Sequence, residues 1–172
     1  MITVEKTKLD GVLLVKPEIF DDFRGTYTET YNRKLYEEHG IMVDFVQDDY
    51  STSSKSVLRG LHGDSETYKL ISCMRGSFYF VVLNYDIKSP QFGQWQAFTL
   101  SERNRYQVLV PPKFANGHLA LTDDIIFHYK QSAYYDPKGQ FSVKFDDPRF
   151  QMWWPNKNPI LSQRDEAGKY PQ

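Results

Sequence analysis

This sequence has little cysteine and almost no excess of charge of either sign. Among its 172 residues there is a single cysteine, Cys73, which excludes an intramolecular disulfide and a zinc site of several thiolates. Its neighbours Ile71 and Met74 are typical of a strand and predict a buried small hydrophobe in a reducing compartment. The 21 lysines and arginines against 22 aspartates and glutamates give a net charge of -1. That balance disfavours a protein dedicated to nucleic acid or to anionic lipid.

Long apolar runs and repeats are also lacking. No run approaches membrane-spanning length, and the first residues, MITVEK, lack the basic start and apolar stretch of a leader. We therefore expect a cytoplasmic protein with no membrane partner. The sequence shows no solenoid repeat, low-complexity tract or Gly/Ser-rich linker, so residues 1–172 are predicted to form a single domain.

Aromatic residues are abundant, at 16% of the chain, and such side chains favour strands and line ligand clefts. Apolar and polar residues alternate in short runs that predict half-buried strands at 25–31, 94–100, 106–110 and 140–145. The runs 68–74 and 77–83 flank Gly76, which predicts a tight turn and hence a hairpin, with the second strand central in its sheet.

Helical signals are few. Only residues 32–39 resemble a surface helix, with Asn32 as N-cap and Gly40 as stop. After Pro148 the chain is rich in Trp and Pro and is predicted to wrap the outside of the sheets as a loosely regular tail. Many short strands with little helix predict an all-β sandwich or jelly-roll barrel, and small molecules commonly bind in the mouths of such barrels.

The first candidate for chemistry is the run LRGLHGD at 58–64. Strict alternation places Arg59 and His62 on opposite faces of a strand, so a bulge near Gly60 is required if both meet one ligand. Glycines at such a place permit a ligand or a backbone to approach closely. A structural histidine with satisfied hydrogen bonds explains the same pattern equally well.

A metal site is the next possibility, because Asn116 and His118 share a strand face and His62 lies in another strand. The count of ligands argues against it. Metal-binding barrels of the cupin type supply two histidines at i and i+2 and a glutamate from one strand. Here the first strand supplies only His62, followed by Asp64 and Glu66. We therefore predict no metal.

Two further residues are ambiguous on their own. Alternation in the run 125–135 places Tyr129 on a face with Phe127 and Gln131. A buried tyrosine is more often a core residue with a satisfied hydroxyl than a proton donor. Asp165 lies in the tail, where a carboxylate is ordinarily a solvated loop charge.

Taken together and in this order, these motifs resemble the dTDP-4-dehydrorhamnose 3,5-epimerase family of sugar-nucleotide epimerases, and the likeness spans nearly the whole chain. The segments that carry it are 20–25 (FDDFRG) with Glu29, 47–51 (QDDYS), 58–62 (LRGLH), 89–95 (SPQFGQW), 110–115 (VPPKFA), Tyr129-Lys130, Tyr134-Tyr135, Asp147-Pro148, Trp154-Pro155 and 161–165 (LSQRD). The resemblance implies a metal-free cupin jelly-roll barrel with short helical segments, an extended C-terminal tail and no cofactor.

The resemblance also implies roles for individual residues. His62 would be the catalytic base, oriented by Asp165, Tyr129 would be the acid on the opposite face of the sugar, and Lys69 would stabilise the enolate oxygen. Arg24 and Arg59 would hold the diphosphate. The substrate-binding positions implied in all are Arg24, Glu29, Gln47, Ser51, Arg59, Asp64, Asn116, His118 and Tyr135. Relatives are dimers, so we expect a homodimer with strand exchange in which some of these residues come from the partner subunit.

Two departures from the family pattern point to a subtype. The stretch between His62 and Lys69 is shorter than in relatives, and the imidazole that relatives carry at position 116 stands at His118 instead. These features resemble the branch that acts on GDP-linked 4-keto heptoses for bacterial capsular polysaccharide. We therefore expect an isomerase that inverts C3 of a nucleotide-diphospho-4-keto sugar, with C5 left open and a GDP-4-keto-heptose favoured over a dTDP-4-keto-6-deoxyhexose. The alternatives are a sugar-nucleotide 3,4-ketoisomerase and a non-catalytic cupin that binds sugar or metal.

Overall fold

Antiparallel strands make up most of the computed structural model, which describes residues 1–168. The strands are β1 (Ile2–Lys6), β2 (Leu13–Pro17), β3 (Phe20–Asp22), β4 (Gly25–Tyr27), β5 (Gln47–Ser53), β6 (Leu58–Asp64), β7 (Lys69–Arg75), β8 (Ser77–Asn84), β9 (Trp95–Ser101), β10 (Gln107–Val110), β11 (Phe114–Ala120), β12 (Ile125–Gln131) and β13 (Gln140–Ser142). The helices are α1 (Arg33–Glu38), a 3-10 turn (Pro137–Gly139) and α2 (Gln163–Ala167). The predicted all-β cupin-like fold is confirmed. None of the helices described is long and apolar enough to cross a membrane.

Two sheets face each other. One has six strands in the order β1-β2-β10-β7-β12-β5, and the other has five in the order β13-β6-β11-β8-β9; β3 and β4 form a separate hairpin. The main core lies between the sheets, where Ile71 and Phe127 of the first meet Phe78 and Phe80 of the second. Because side chains alternate along a strand, the residues that β7, β8, β10 and β12 contribute to this layer are two apart in the chain, as Ile71 and Cys73 are.

The outer faces of both sheets are covered as well. Helix α1 packs Tyr36 against Leu70 and Leu109 on the six-stranded sheet. The tail packs Phe150 and Trp154 on the five-stranded sheet. The predicted wrapping of the tail and the burial of Cys73, only 2% exposed, are therefore confirmed.

The helix predicted at residues 32–39 is confirmed. The Asn32 side chain accepts a hydrogen bond from the Leu35 amide, and Gly40 follows with a φ of +85°. The predicted strands are confirmed in place but not in length, because only residues 25–27 and 140–142 of two predicted runs belong to strands.

The hairpin predicted around Gly76 is wrong. Gly76 does turn with a φ of +71°, but β7 and β8 belong to different sheets and do not pair. The turn passes the chain from one sheet to the other, and β8 then lies between β11 and β9, central as predicted. Both arrangements need the same positive φ, so the local sequence does not separate them.

The predicted bulge near Gly60 is present. Asn116 pairs with His62 and His118 pairs with Arg59, so β6 has one more residue than β11 over this stretch. Gly60 has a φ of +122°, and a Cβ built on it would lie 2.5 Å from the Gly117 Cα and 2.7 Å from the Asn116 carbonyl oxygen. Neither atom can move without displacing β11 from β6.

We expect Gly60→Ala to lower the free energy of unfolding by about 3 kcal/mol or more, since backbone strain and a clash with backbone add together. Gly25→Ala is the matched control, because Gly25 has a φ of +117° but a Cβ added there would meet no atom within 4 Å. The control should show only the strain cost of roughly 1 kcal/mol. Urea denaturation measures the free energy of unfolding of both variants. Equal losses would show that the close contact between β6 and β11 adds nothing to the cost of the backbone strain.

Candidate active site

A cavity of about 400 Å³ opens between the two sheets. Strands β5, β7 and β12 form one wall, and β6 and β11 form the other, with α2 at its edge. The predicted site residues that line it are His62, Lys69, Tyr129, Asp165, Gln47, Ser51, Arg59, Asn116, His118 and Tyr135. Residues far apart in the chain therefore meet at one place.

His62 and Asp165 form the central pair. The His62 Nε2 lies 2.6 Å from the Asp165 Oδ1, and the Asp165 side chain is only 4% exposed. Since this hydrogen bond occupies Nε2, Nδ1 is the nitrogen that remains to take up a proton. Burial lowers the pKa of His62 and outweighs the hydrogen bond to Asp165, which raises it. The imidazole is thus held in its neutral, proton-accepting form at neutral pH.

Helix α2 positions the carboxylate of Asp165. The helix begins after Ser162, whose hydroxyl accepts from the Asp165 amide at 3.2 Å and donates to the Asp165 Oδ2 at 2.9 Å. Burial alone would raise the pKa of Asp165, but the interactions with His62 and Ser162 hold it below its ordinary value. Asp165 is therefore a charged partner of His62 and not the solvated loop charge that its surroundings in the sequence suggest.

Lys69 is held by Asp64. The Lys69 Nζ lies 3.4 Å from the Asp64 Oδ2, and both side chains are nearly buried. Burial lowers the pKa of Lys69, and the carboxylate of Asp64 partly restores it. Asp64 also accepts from the amides of Glu66 and Thr67 at 3.0 and 2.6 Å and from the Gln140 side chain at 3.1 Å. Its oxygens are thus engaged by protein, and Asp64 does not line the cavity as a substrate-binding residue was predicted to do.

Tyr129 faces the cavity from the opposite sheet to His62. Burial raises the pKa of its phenol, and the electrostatic interactions with Asp49 and Tyr135 raise it further. The hydroxyl therefore stays protonated at neutral pH and can serve as a proton donor.

Three more polar residues, from β6 and β11, lie on the wall that carries His62. Asn116 donates to the His62 carbonyl at 3.1 Å, and Arg59 binds the Ser53 hydroxyl at 3.0 Å. His118 is stacked on Phe127 with ring centroids 4.0 Å apart, and burial lowers its pKa to about 3. Within residues 1–168 no group of three or more His, Cys, Asp and Glu residues is arranged to hold a metal ion.

Arg24 and Glu29 lie outside the cavity of their own chain. Arg24, in the turn between β3 and β4, is paired with Asp22 at 2.6 Å, and Glu29 is exposed. Neither is brought to His62 or Tyr129 within one chain.

Several cavity residues were not predicted from the sequence, and of these Asp49, Gln131, Gln140, Ser162 and Arg164 are charged or polar. A signal for two of them was available. Asp49 lies between Gln47 and Ser51 on the same strand face, and Gln131 follows Tyr129 at the same period. Arg164 is placed by α2, whose short length leaves no periodic signal.

Comparison with known proteins agrees with this geometry. A family model described as dTDP-4-dehydrorhamnose 3,5-epimerase matches residues 6–171. The enzyme of that name from Shigella flexneri is 38% identical over 172 residues, covering 98% of this chain and 95% of the relative.

Solved structures are similarly close. The dTDP-6-deoxy-D-glucose-3,5-epimerase from Legionella pneumophila, in complex with dTDP-4-keto-L-rhamnose, has a TM-score of 0.93 and 38% identity, covering 98% of this chain and 92% of that one. The dTDP-4-dehydrorhamnose 3,5-epimerase from Bacillus anthracis, with TDP and PPi bound, has a TM-score of 0.94 and 35% identity, covering 99% of this chain and 100% of that one. Fold and sequence thus agree along nearly the full length, and the chain belongs to the dTDP-4-dehydrorhamnose 3,5-epimerase family of isomerases.

Proposed function

We propose that the protein inverts C3, and C5 as a second centre, of a nucleotide-diphospho-4-keto sugar. The observation that carries the proposal is that His62 and Tyr129 face one cavity from opposite sheets, with His62 bound to a buried carboxylate. Inversion requires a base on one face of the sugar ring and an acid on the other. A cavity with a neutral imidazole on one wall and a protonated phenol on the other meets that requirement.

The proposed chemistry follows from the acidity of hydrogens beside a ketone. His62 Nδ1 removes the C3 proton, and Asp165 stabilises the imidazolium that forms. The electron pair moves onto the C4 oxygen, where the ammonium of Lys69 stabilises the enolate. Tyr129 then delivers a proton to C3 from the other face, which inverts the centre. No oxidant or reductant takes part.

The identity of the nucleotide that carries the sugar is a separate point. The names of relatives and the bound dTDP-4-keto-L-rhamnose, TDP and PPi of the neighbouring structures support a dTDP-linked 4-keto-6-deoxy sugar. The GDP-4-keto-heptose expected from the short 63–68 segment and from His118 has no such support and stays a prediction. We therefore propose the dTDP-linked sugar as substrate.

A homodimer is part of the proposal, because Arg24 and Glu29 lie outside the cavity. The β3–β4 hairpin that carries Arg24 exposes Phe20, Phe23 and Tyr27 at 51%, 98% and 66%. Large exposed apolar side chains on one hairpin are typical of an interaction surface. A second copy that places this hairpin at the mouth of the cavity would add Arg24 to the diphosphate site.

Solvent exchange tests the proposed function. The protein is incubated in D₂O with the dTDP-linked 4-keto-6-deoxy sugar and, separately, with a GDP-linked 4-keto heptose, and the products are analysed by NMR. We expect deuterium at C3 together with inversion, and faster turnover of the dTDP-linked sugar. No deuterium in either sugar would refute the epimerase. Movement of the carbonyl from C4 to C3 would instead identify a ketoisomerase.

A further inference from the structure

Asp49 is a carboxylate in the cavity wall that the proposed mechanism does not use. It lies in β5 directly opposite Tyr129 in β12, and both side chains line the cavity. Residues directly opposite on neighbouring antiparallel strands have Cβ atoms roughly 5 Å apart. The carboxylate therefore lies beside the phenol that faces the substrate.

Two amides fix the orientation of Asp49. Its Oδ2 accepts from the Gln47 Nε2 and the Gln131 Nε2, each at 2.7 Å. Gln131 is 2% exposed and directly opposite Gln47, so the two amides hold the carboxylate from both strands. In the part of the chain that the structure describes, no lysine, arginine or histidine forms an ion pair with Asp49. Its negative charge is fixed in place and is not neutralised by a paired cation.

A negative charge in the cavity repels a diphosphate, so substrate binding does not explain why Asp49 is there. Another interaction must account for its position. The titratable group directly opposite Asp49 on the neighbouring strand is the phenol of Tyr129. A neighbouring negative charge disfavours a phenolate and favours the neutral phenol. Burial, the largest effect, and then Asp49 and Tyr135 all raise the pKa of Tyr129.

We propose that Asp49 is a positioning residue for proton transfer, whose fixed negative charge retains the hydrogen on the Tyr129 oxygen until the substrate carbon accepts it. The inference rests on the proposed role of Tyr129 as acid. In that step the O–H bond of Tyr129 breaks and a C–H bond forms at C3. Because a phenolate beside Asp49 is unfavourable, Tyr129 keeps its proton until the enolate carbon takes it. The phenolate that forms then takes a proton from water, and the imidazolium of His62 returns its proton to water.

Asp49 is one of several groups around Tyr129. On the other neighbouring strand, β7, the residue opposite Tyr129 is Ile71, which is apolar and carries no charge. The titratable groups around the same cavity are Asp49 from β5, Arg59 and His62 from β6, Lys69 from β7, His118 from β11, Tyr135 after β12, and Arg164 and Asp165 from α2. Of these, Asp49 is the one directly opposite Tyr129 on a paired strand, and it is the one fixed by two amides.

The experiment compares Asp49→Asn with Asp48→Asn. Asp48 is the matched control, because it is the adjacent carboxylate on the other face of β5, bound to the Lys130 Nζ at 2.8 Å. Loss of the Asp49 charge should move the alkaline limb of the kcat–pH profile to lower pH by roughly 0.5 to 1 unit. The KM should not rise, since a negative charge has left an anion-binding cavity. The Asp48 variant should keep the wild-type profile, and Asp49→Glu should restore it.

A second measurement reads the phenol directly without turnover. Tyrosine labelled with ¹³C at Cζ is titrated by NMR, and the Tyr129 resonance is assigned by its loss in Tyr129→Phe. It should titrate at lower pH in Asp49→Asn and in a second neutral variant, Asp49→Ser. An unchanged titration, or a raised KM with an unchanged pH profile, would overturn the inference. If the wild type shows no epimerisation but the resonance shifts as expected, the proposed function fails while the effect of Asp49 on Tyr129 stands.

Discussion

Replacing His62 with Asn should abolish deuterium incorporation at C3 and lower the rate of epimerisation by about 10³-fold, the order of magnitude of general base catalysis. Asparagine places a polar amide where the imidazole Nδ1 stands, so the polarity of the cavity wall is kept, although the shorter side chain does not reach Asp165 as the His62 Nε2 does. It lacks a nitrogen able to accept a proton from carbon. The loss should therefore fall on the first chemical step, before any enolate forms, and both exchange and inversion should disappear together. NMR of the sugar in D₂O measures both.

His128→Asn is the matched control for this variant. His128 lies on β12 beside Tyr129 but on the opposite strand face, outside the cavity. The same chemical change at that half-buried position should leave exchange within about twofold of wild type, since the side chain does not line the cavity. Exchange that persists in His62→Asn would show that another group removes the proton.

The pH dependence of the wild type follows from the same residue. Burial, opposed by Asp165, lowers the pKa of His62 below its ordinary value of 6.5. The base must be neutral to act, so activity is present above the lowered pKa and is lost as the pH falls through it. The acid limb of kcat/KM should consequently lie below pH 6.5. A limb above that value would contradict the burial of His62 as the dominant influence.

Local patterns predicted the strands that carry the site, because alternation is a property of a few neighbouring residues. The bulge that turns Arg59 and His62 to one cavity was predictable from Gly60 and from the requirement that both meet one ligand. The shared face of Phe127, Tyr129 and Gln131 followed from a period of two.

The remaining features depend on contacts between distant segments. Nothing around Gly76 distinguishes a hairpin from a turn between sheets, since the choice is made by which strands flank β7 and β8. Asp64 was assigned to substrate by resemblance to the family, whereas three protein donors and Lys69 occupy it. Asp165 gained a role only through resemblance to a family, because the helix that buries it against His62 has five residues and no periodic signal.

Replacing Tyr129 with Phe should separate the two halves of the reaction. Phenylalanine keeps the ring that packs on Phe127, with centroids 5.5 Å apart, and removes only the hydroxyl. His62 can still take the C3 proton and, after exchange with solvent, return deuterium to the same face. We therefore expect deuterium at C3 within about tenfold of the wild-type rate but a loss of inversion of about 10²-fold or more.

The comparison with His62→Asn decides whether the two residues act on opposite faces of one ring. If Tyr129 only packed against the substrate, removing its hydroxyl would lower the rates of exchange and of inversion in equal proportion. If it is the acid, the ratio of exchange to inversion must rise in Tyr129→Phe. Tyr50→Phe controls for the substitution itself, because Tyr50 is 72% exposed and does not line the cavity. A ratio that stays at the wild-type value would remove Tyr129 from the chemistry and leave the second face of the sugar to another donor.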